Sequence, residues 1–350
     1  MATHVASVTS ARASPPSVER LPLVTLYLTD RCNSRCVTCD YWRHGRDNLT
    51  LAAAQRLVPQ FATLGTRAAL LSGGEPLLNP EWREIAQLLR DAGLTLWLLT
   101  SGLSLAKHAR AAAALFDSIT VSLDGTTPET YRAIRGLDAF DVVCDGIRAA
   151  VAAGARVGLR ITVQRANYRE LPRFVALAHE LGAHQLSFLA VDVGNPHAFG
   201  REQAFGGDLA LTRSDLPVLE KLLVHMEREY AGEFARGFVA EDPAKMRRLC
   251  AYFAALAGKG AFPPVRCNAP EFSAVLAVDG RLSPCFFIRG PAPGDAVRDL
   301  AVALDSAEMT ALRADIRAGV RTECARCVCS LWRDPEQQSG FTLAEGRSLA

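Results

Sequence analysis

Leu21-Pro22-Leu23-Val24-Thr25-Leu26-Tyr27-Leu28-Thr29-Asp30-Arg31-Cys32-Asn33-Ser34-Arg35-Cys36-Val37-Thr38-Cys39 joins an apolar run to a loop of three cysteines. The run, 21–29, is β-rich and uncharged and reads as a buried strand. The loop that follows carries the spacing Cys-x3-Cys-x2-Cys at Cys32, Cys36 and Cys39. Three thiolates on one short loop can hold a cubane iron–sulfur cluster by three of its irons and leave the fourth open to a ligand. The same residues also admit a zinc loop or plain core thiols. Zinc takes four tetrahedral ligands, and no fourth Cys or flanking His completes a familiar finger spacing; His44 is the nearest candidate.

Outward from this stretch, residues 21 to about 190 alternate between strand-like and helix-like segments. Strands are expected at 22–29, 67–72, 94–100, 117–123, 157–164 and 185–190. Helices are expected at 50–64, 81–92, 104–115, 140–153 and 169–181, with Gly93, Gly154 and Gly182 suited to left-handed C-caps. Six strands alternating with helices call for an α/β fold with parallel pairing and right-handed crossovers, as an open doubly wound sheet or a partial barrel. Either way ligands bind at the C-terminal strand ends, where the cysteine loop lies.

At 350 residues the chain can bury one large core, or a core plus a small module. Its net charge of +2 makes no electrostatic case for nucleic acid or membrane. No uncharged apolar run reaches membrane-spanning length. Residues 1–20 read as a disordered lead without a secretory pattern. A cytosolic location follows as the expectation, and ten cysteines there point to metal rather than disulfides. A core over 21–215, a helical connector over 216–260, a small module over 261–330 and a tail over 331–350 complete the expected organisation. A helix is expected at 215–231. Within the module, two short apolar runs flank Asp279-Gly280 in 272–288 and read as a tight hairpin.

Polar residues gather at the expected strand ends. Ser72-Gly73-Gly74-Glu75-Pro76 closes the second strand, where two glycines allow close backbone approach and Glu75 offers a carboxylate to an ammonium group. Thr100-Ser101-Gly102 closes the third. Ser122-Leu123-Asp124-Gly125 closes the fourth, with Ser122 and Asp124 on one side of the strand, and Arg135-Gly136 follows. Singly, each is more often a turn or a cap than a site.

Together, Cys32-x3-Cys36-x2-Cys39, Gly73-Gly74-Glu75-Pro76 and Ser122-Leu123-Asp124-Gly125 resemble the radical S-adenosylmethionine (SAM) enzymes, over about residues 21–190. The resemblance implies a partial (β/α)6 barrel of parallel strands and a 4Fe-4S cluster whose open iron is chelated by SAM. It implies that Gly73, Gly74 and Glu75 contact the methionine amino group and that Ser122 contacts ribose or carboxylate. Arg135 would be a carboxylate partner, with Thr100 and the strand end near Leu189 as further contacts. Strand three departs from the usual Thr-Asn-Gly by carrying Ser101.

Cys267, then Gly280-x4-Cys285, then Cys324, Cys327 and Cys329 resemble the auxiliary-cluster extensions of that family. No cysteine follows Cys329, so the shortened single-cluster form called twitch fits better than the two-cluster SPASM form. Cys267, Cys285, Cys324 and Cys327 would ligate an auxiliary 4Fe-4S cluster, with Cys329 as a substitute for Cys327. Four thiolates close every iron, which suits electron relay, although a structural zinc uses the same four. Cys144 reads as core packing. Cys250 is either buried or a hydrogen-atom donor beside substrate.

The resemblance implies SAM cleavage to a 5′-deoxyadenosyl radical that takes hydrogen from an unactivated C–H bond. A flavodoxin or ferredoxin would supply the electron. The foremost expectation is oxidation of a small polar metabolite such as a sugar, aminocyclitol or nucleoside. Epimerisation with Cys250 or Cys329 as donor, and maturation of a ribosomal peptide, are the alternatives. About 20 residues precede the first strand, too few for a leader-binding domain there.

Overall fold

A computed structural model describes residues 18–203, 207–292 and 296–334. Most of the expected lead and tail therefore lies outside the described residues. Six strands, β1 (Leu23–Thr29), β2 (Ala68–Gly73), β3 (Thr95–Thr100), β4 (Ser118–Ser122), β5 (Val157–Val163) and β6 (Gln185–Ala190), pair in parallel and in sequence order. The helices Leu51–Thr63, Trp82–Asp91, Leu105–Leu115, Phe140–Ala152 and Leu171–Glu180 connect them. These bounds agree closely with those read from the sequence. Gly93, Gly154 and Gly182 take the expected left-handed conformation, with φ of 83°, 88° and 70°.

Alternation along each strand separates two faces. In β5, Val157, Leu159, Ile161 and Val163 are at most 1% exposed and pack on the helices. Each such side chain contributes about 1.5–3 kcal/mol on burial. The opposite face is divided. On β1 to β3 it carries Leu23, Ala68, Leu70 and Trp97, a small apolar cluster of its own. On β4 to β6 the same parity carries Ser118, Thr120, Ser122, Arg160, Thr162, Gln185 and Ser187.

The sheet does not stop at six strands. β7 (Ser273–Leu276) pairs in parallel with the free edge of β1, from Leu23↔Ser273 to Leu26↔Leu276. β8 (Leu282–Ser283) then pairs antiparallel to β7. The order is β6-β5-β4-β3-β2-β1-β7-β8, an open and mostly parallel α/β sheet. The hairpin expected around Asp279-Gly280 is present, with Gly280 at φ 77°, and it prolongs the main sheet across the module boundary drawn at 261. At the far edge, Leu186 exchanges backbone hydrogen bonds with Phe238 (2.7 Å) and Ala240 (2.8 Å). The helix Pro128–Arg135, capped by Thr127, escaped the sequence reading, as did the helices Leu300–Leu304 and Ala307–Arg317. The 216–260 segment holds the helices Leu216–Glu229, Ala231–Ala235 and Pro243–Leu256. Among the described residues, no helix is long and apolar enough to cross a membrane.

Candidate functional site

The cysteine loop follows β1 and is fastened on three sides. Gly74 N donates to Thr29 O and Glu75 N to Arg31 O, both at 2.7 Å. A Cβ on Gly73 would stand 2.2 Å from Thr29 O, and one on Gly74 2.1 Å from Arg31 O. The two glycines, expected to allow close backbone approach to a ligand, make such an approach to the start of the cysteine loop. On the second side, Arg35 N donates to Arg135 O (3.1 Å) and Val37 N to Ile134 O (2.9 Å), which docks the loop on the last turn of the helix Pro128–Arg135. A Cβ on Gly136 would lie 2.3 Å from Arg35 O, so this docking also needs glycine. On the third side, Asp40 N donates to Phe199 O (3.0 Å), and the Cys39 thiol lies 3.3 Å from that oxygen.

Glu75 is fully buried, and its carboxylate accepts from Thr100 Oγ1 (2.8 Å), Ser101 N (2.6 Å) and Leu77 N (3.2 Å). Its carboxylate thus ties the end of β2 to the end of β3. Ser101 uses its amide for Glu75 and its hydroxyl for Asn33 Oδ1 in the cysteine loop (3.3 Å). Ser122 ends β4 on the polar face.

Arg135 is buried and paired with Asp124 at 3.1 Å. Asp124 also accepts from Thr162 N (2.7 Å), so the pair joins β4 to β5. The Nε of Arg135 is buried without a partner. Burial works against this cation, and the neighbouring Cys36 sulfur and Asp124 carboxylate outweigh it. A buried cation with an unused donor beside three sulfurs suits a site that gathers negative charge, as thiolates around an iron cube do. Burial pushes the Cys32 thiol up to about 11 and the Cys39 thiol up to about 12, so as bare thiolates they would be costly. Among the described residues, no group of His, Cys, Asp and Glu is gathered as ligands of a single ion.

A residue the sequence reading passed over stands beside Ser122. Register pairs Ser122 with Arg160 and Arg160 with Ser187, so the guanidinium is carried on the polar face one strand from the expected SAM contact. The signal was available: within Val157-Gly158-Leu159-Arg160-Ile161-Thr162-Val163, the charge falls on the parity opposite the apolar residues.

The second set of cysteines lies against the β1 and β7 side of the sheet, with Cys327 also meeting Phe188, Leu189 and Ala190 at the end of β6. Cys267, Cys285, Cys324, Cys327 and Cys329 all line one cavity of about 90 Å3. That is several times the roughly 10–15 Å3 one water needs. Leu23, Thr25, Leu70 and Val275 continue the cavity across the inner sheet face. Burial pushes Cys285 up to about 12, against the amides of Phe287 and Ile288, which favour its thiolate. Asn268, next to Cys267, clamps the chain beyond Cys329. Its amide donates to Leu331 O (3.0 Å), its Nδ2 to Arg333 O (2.7 Å), and its Oδ1 accepts from Arg333 N (2.9 Å). All ten cysteines are free thiols. Several soft donors around one mainly apolar cavity fit an iron–sulfur cluster and fit zinc as well.

Cys144 is core, as expected. Cys250 is not brought to either set: its sulfur lies 4.0 Å from Glu220 on the helix Leu216–Glu229, within the helical packing.

Residues 26–178 match the model of the Radical SAM superfamily. GTP 3′,8-cyclase 1 of Mycobacterium tuberculosis (strain ATCC 25618 / H37Rv) is 34% identical over 194 residues, 51% of this chain and 54% of that protein. The AdoMet-dependent heme synthase of Methanosarcina barkeri is 34% identical over 167 residues, 46% and 48% of the two chains. The chain thus spans about half the length of these curated relatives. Streptococcus suis SuiB bound to S-adenosylmethionine superimposes with a TM-score of 0.62 at 14% identity, over 90% of this chain and 73% of that one. Native anSMEcpe with bound AdoMet and Kp18Cys peptide gives 0.60 at 18% identity, over 89% and 92%. At such identities the likeness is one of fold.

Proposed function

Because residues 26–178 match the Radical SAM superfamily model, we propose that this protein cleaves SAM reductively at a 4Fe-4S cluster held by Cys32, Cys36 and Cys39 and oxidises a small polar substrate. When bound, the cluster and SAM would supply a 5′-deoxyadenosyl radical for removing hydrogen from a substrate carbon. The chain's residues supply position and charge. Arg135 and Asp124 hold the floor under the cysteine loop, with the Arg135 guanidinium close enough to the Cys36 and Cys32 sulfurs to act on them electrostatically. The Gly73-Gly74-Glu75 turn holds the loop from the β2 side and presents its edge to the methionine amino group. Ser122 and Arg160 take the SAM ribose and carboxylate, since they share a register row on the polar face of the sheet.

The remaining hydroxyl and amide groups on that face, on Thr120, Thr162, Gln185 and Ser187, favour a substrate rich in hydroxyls. Oxidation requires an acceptor for a second electron. Cys267, Cys285, Cys324 and either Cys327 or Cys329 would hold that acceptor as an auxiliary 4Fe-4S cluster. The single observation that carries the reading is this pair of cysteine groups on one sheet, three on the loop after β1 and five lining one cavity against β1 and β7. A one-electron donor of the flavodoxin or ferredoxin kind would feed the tripod.

Anaerobic reconstitution with iron and sulfide tests it. About eight irons per chain are expected. Changing Cys32, Cys36 and Cys39 to Ala should remove about half and abolish 5′-deoxyadenosine formation. Zinc alone at the tripod, or no SAM cleavage by the reduced protein, would reject the proposal. Deuterium from heavy water entering the product carbon would indicate epimerisation instead. A net two-electron change without it indicates oxidation.

A further inference from the structure

Between β6 and the helical segment, the chain crosses directly from one sulfur site to the other. At the tripod end, Arg201 donates through Nη2 (2.9 Å) and Nε (3.3 Å) to Thr38 O, beside Cys39. Asp40 N donates to Phe199 O, the oxygen that also faces the Cys39 thiol. Gly200 sits so close to Tyr41 that a Cβ there would come within 3.0 Å of its ring and amide. At the hairpin end, the buried Asn195 side chain donates to Phe287 O, two residues from Cys285. The Phe199 ring meets the Phe287 ring edge-on at 5.5 Å. Arg201 Nη1 donates back to Asn195 O (3.2 Å), which makes 195–201 one closed unit rather than a loose loop.

Phe199 holds φ 57° and ψ 40°, and it is the one non-glycine residue at positive φ among the described residues. Left-handed backbone is costly for a residue with a Cβ and persists only where the surroundings over-determine it. Here both faces of the residue are used, its carbonyl on the tripod loop and its ring on the hairpin.

We infer that 195–201 is a strap that positions the two sulfur sites against each other, so that loosening it at one end weakens the site at the other end. Asn195, Phe199 and Arg201 are its positioning residues. This rests on the two-cluster reading above. Neither Asn195 nor Arg201 is proposed as a ligand, and neither takes part in the chemistry.

The test reads each site across the strap. In a Cys267→Ala/Cys285→Ala background only the tripod is loaded, and iron release to a ferrous chelator is timed with and without Asn195→Ala. In the Cys32→Ala/Cys36→Ala/Cys39→Ala background only the second site is loaded, and release is timed with and without Arg201→Gln. Each substitution lies at the far end from the site being read. We expect each to speed release about five-fold, the factor one net hydrogen bond is worth. Phe199→Gly keeps the left-handed backbone, removes the ring, and should speed release from both sites. Amide exchange of 283–288 and 37–41 in the same samples distinguishes local loosening from general unfolding. Far-end substitutions that leave release unchanged, with each background holding about four irons, would overturn the strap alone. Wild-type protein that holds about four irons in total would remove the two-cluster reading, and the strap with it.

Discussion

Arg135 and Arg160 show how little residue type says about role. Both are arginines near the fourth and fifth strands, and only one was noticed in the sequence, because it preceded a glycine. The structure spends Arg135 on Asp124, with side chains 10% and 2% exposed, and on the floor of the cysteine loop. Arg160 sits in the row of Ser122 and Ser187. The two should therefore fail differently. Arg135→Gln leaves Asp124 buried without its cation and should cost about 3–5 kcal/mol of stability. Thermal or denaturant unfolding of the apoprotein measures it. Arg160→Gln should raise the Kd for SAM about ten-fold or more, the worth of a charged hydrogen bond, with a smaller loss of stability. Calorimetric titration of the reconstituted protein separates them, and tighter dependence of SAM on Arg135 than on Arg160 would reverse the assignment.

At the level of elements, the informative place is the outer edge of β6. An open strand edge invites pairing with other chains. Residues 238–240 cover it, and Glu241 continues the cover, accepting from Phe188 N at 2.8 Å through one oxygen. Its other oxygen is buried without a partner. Burial raises its pKa above the ordinary 4.5, against the Phe188 amide and the charges of Lys245 and Arg160. A carboxyl whose folded pKa is raised contributes most to stability while protonated, below its unfolded value. That contribution is lost as pH rises through the folded value. Glu241→Gln, which never ionises, should therefore melt higher than wild type at pH 8. The difference should shrink as pH falls toward 4.5 and below. Melting curves at several pH values measure this, and a mutant that melts lower at pH 8 would mean that the carboxylate charge is favourable where it stands. The alternation in β5 announced a strand, yet nothing in it announced which polar groups meet across the edge, because those contacts join residues 53 positions apart.

For the whole molecule, the open question was whether the cysteine-rich C-terminal third is an appendage. Composition changes near 261 and suggested a separate module. Pairing of β7 with β1 makes it part of the same sheet. Gln60 fastens it further, donating to Val297 O (3.0 Å) and accepting from Leu300 N (2.6 Å). A chain ending at residue 260 would expose the β1 edge together with Leu23, Leu70 and Trp97. Such a fragment should aggregate or elute as large oligomers under conditions where the full chain does not, as light scattering after size exclusion would show. A folded monomeric fragment would restore the view of two independent units. The strands, most of the helices between them and the two groups of cysteines were legible from sequence, because periodicity and short spacing are local and each is enforced by backbone geometry over a few residues. What closes β1, which arginine stands by Ser122, where Cys250 points and what spans the two sulfur sites came only with tertiary structure. Those facts depend on register and on contacts between distant segments, where a shift of one residue turns a side chain from one face of the sheet to the other.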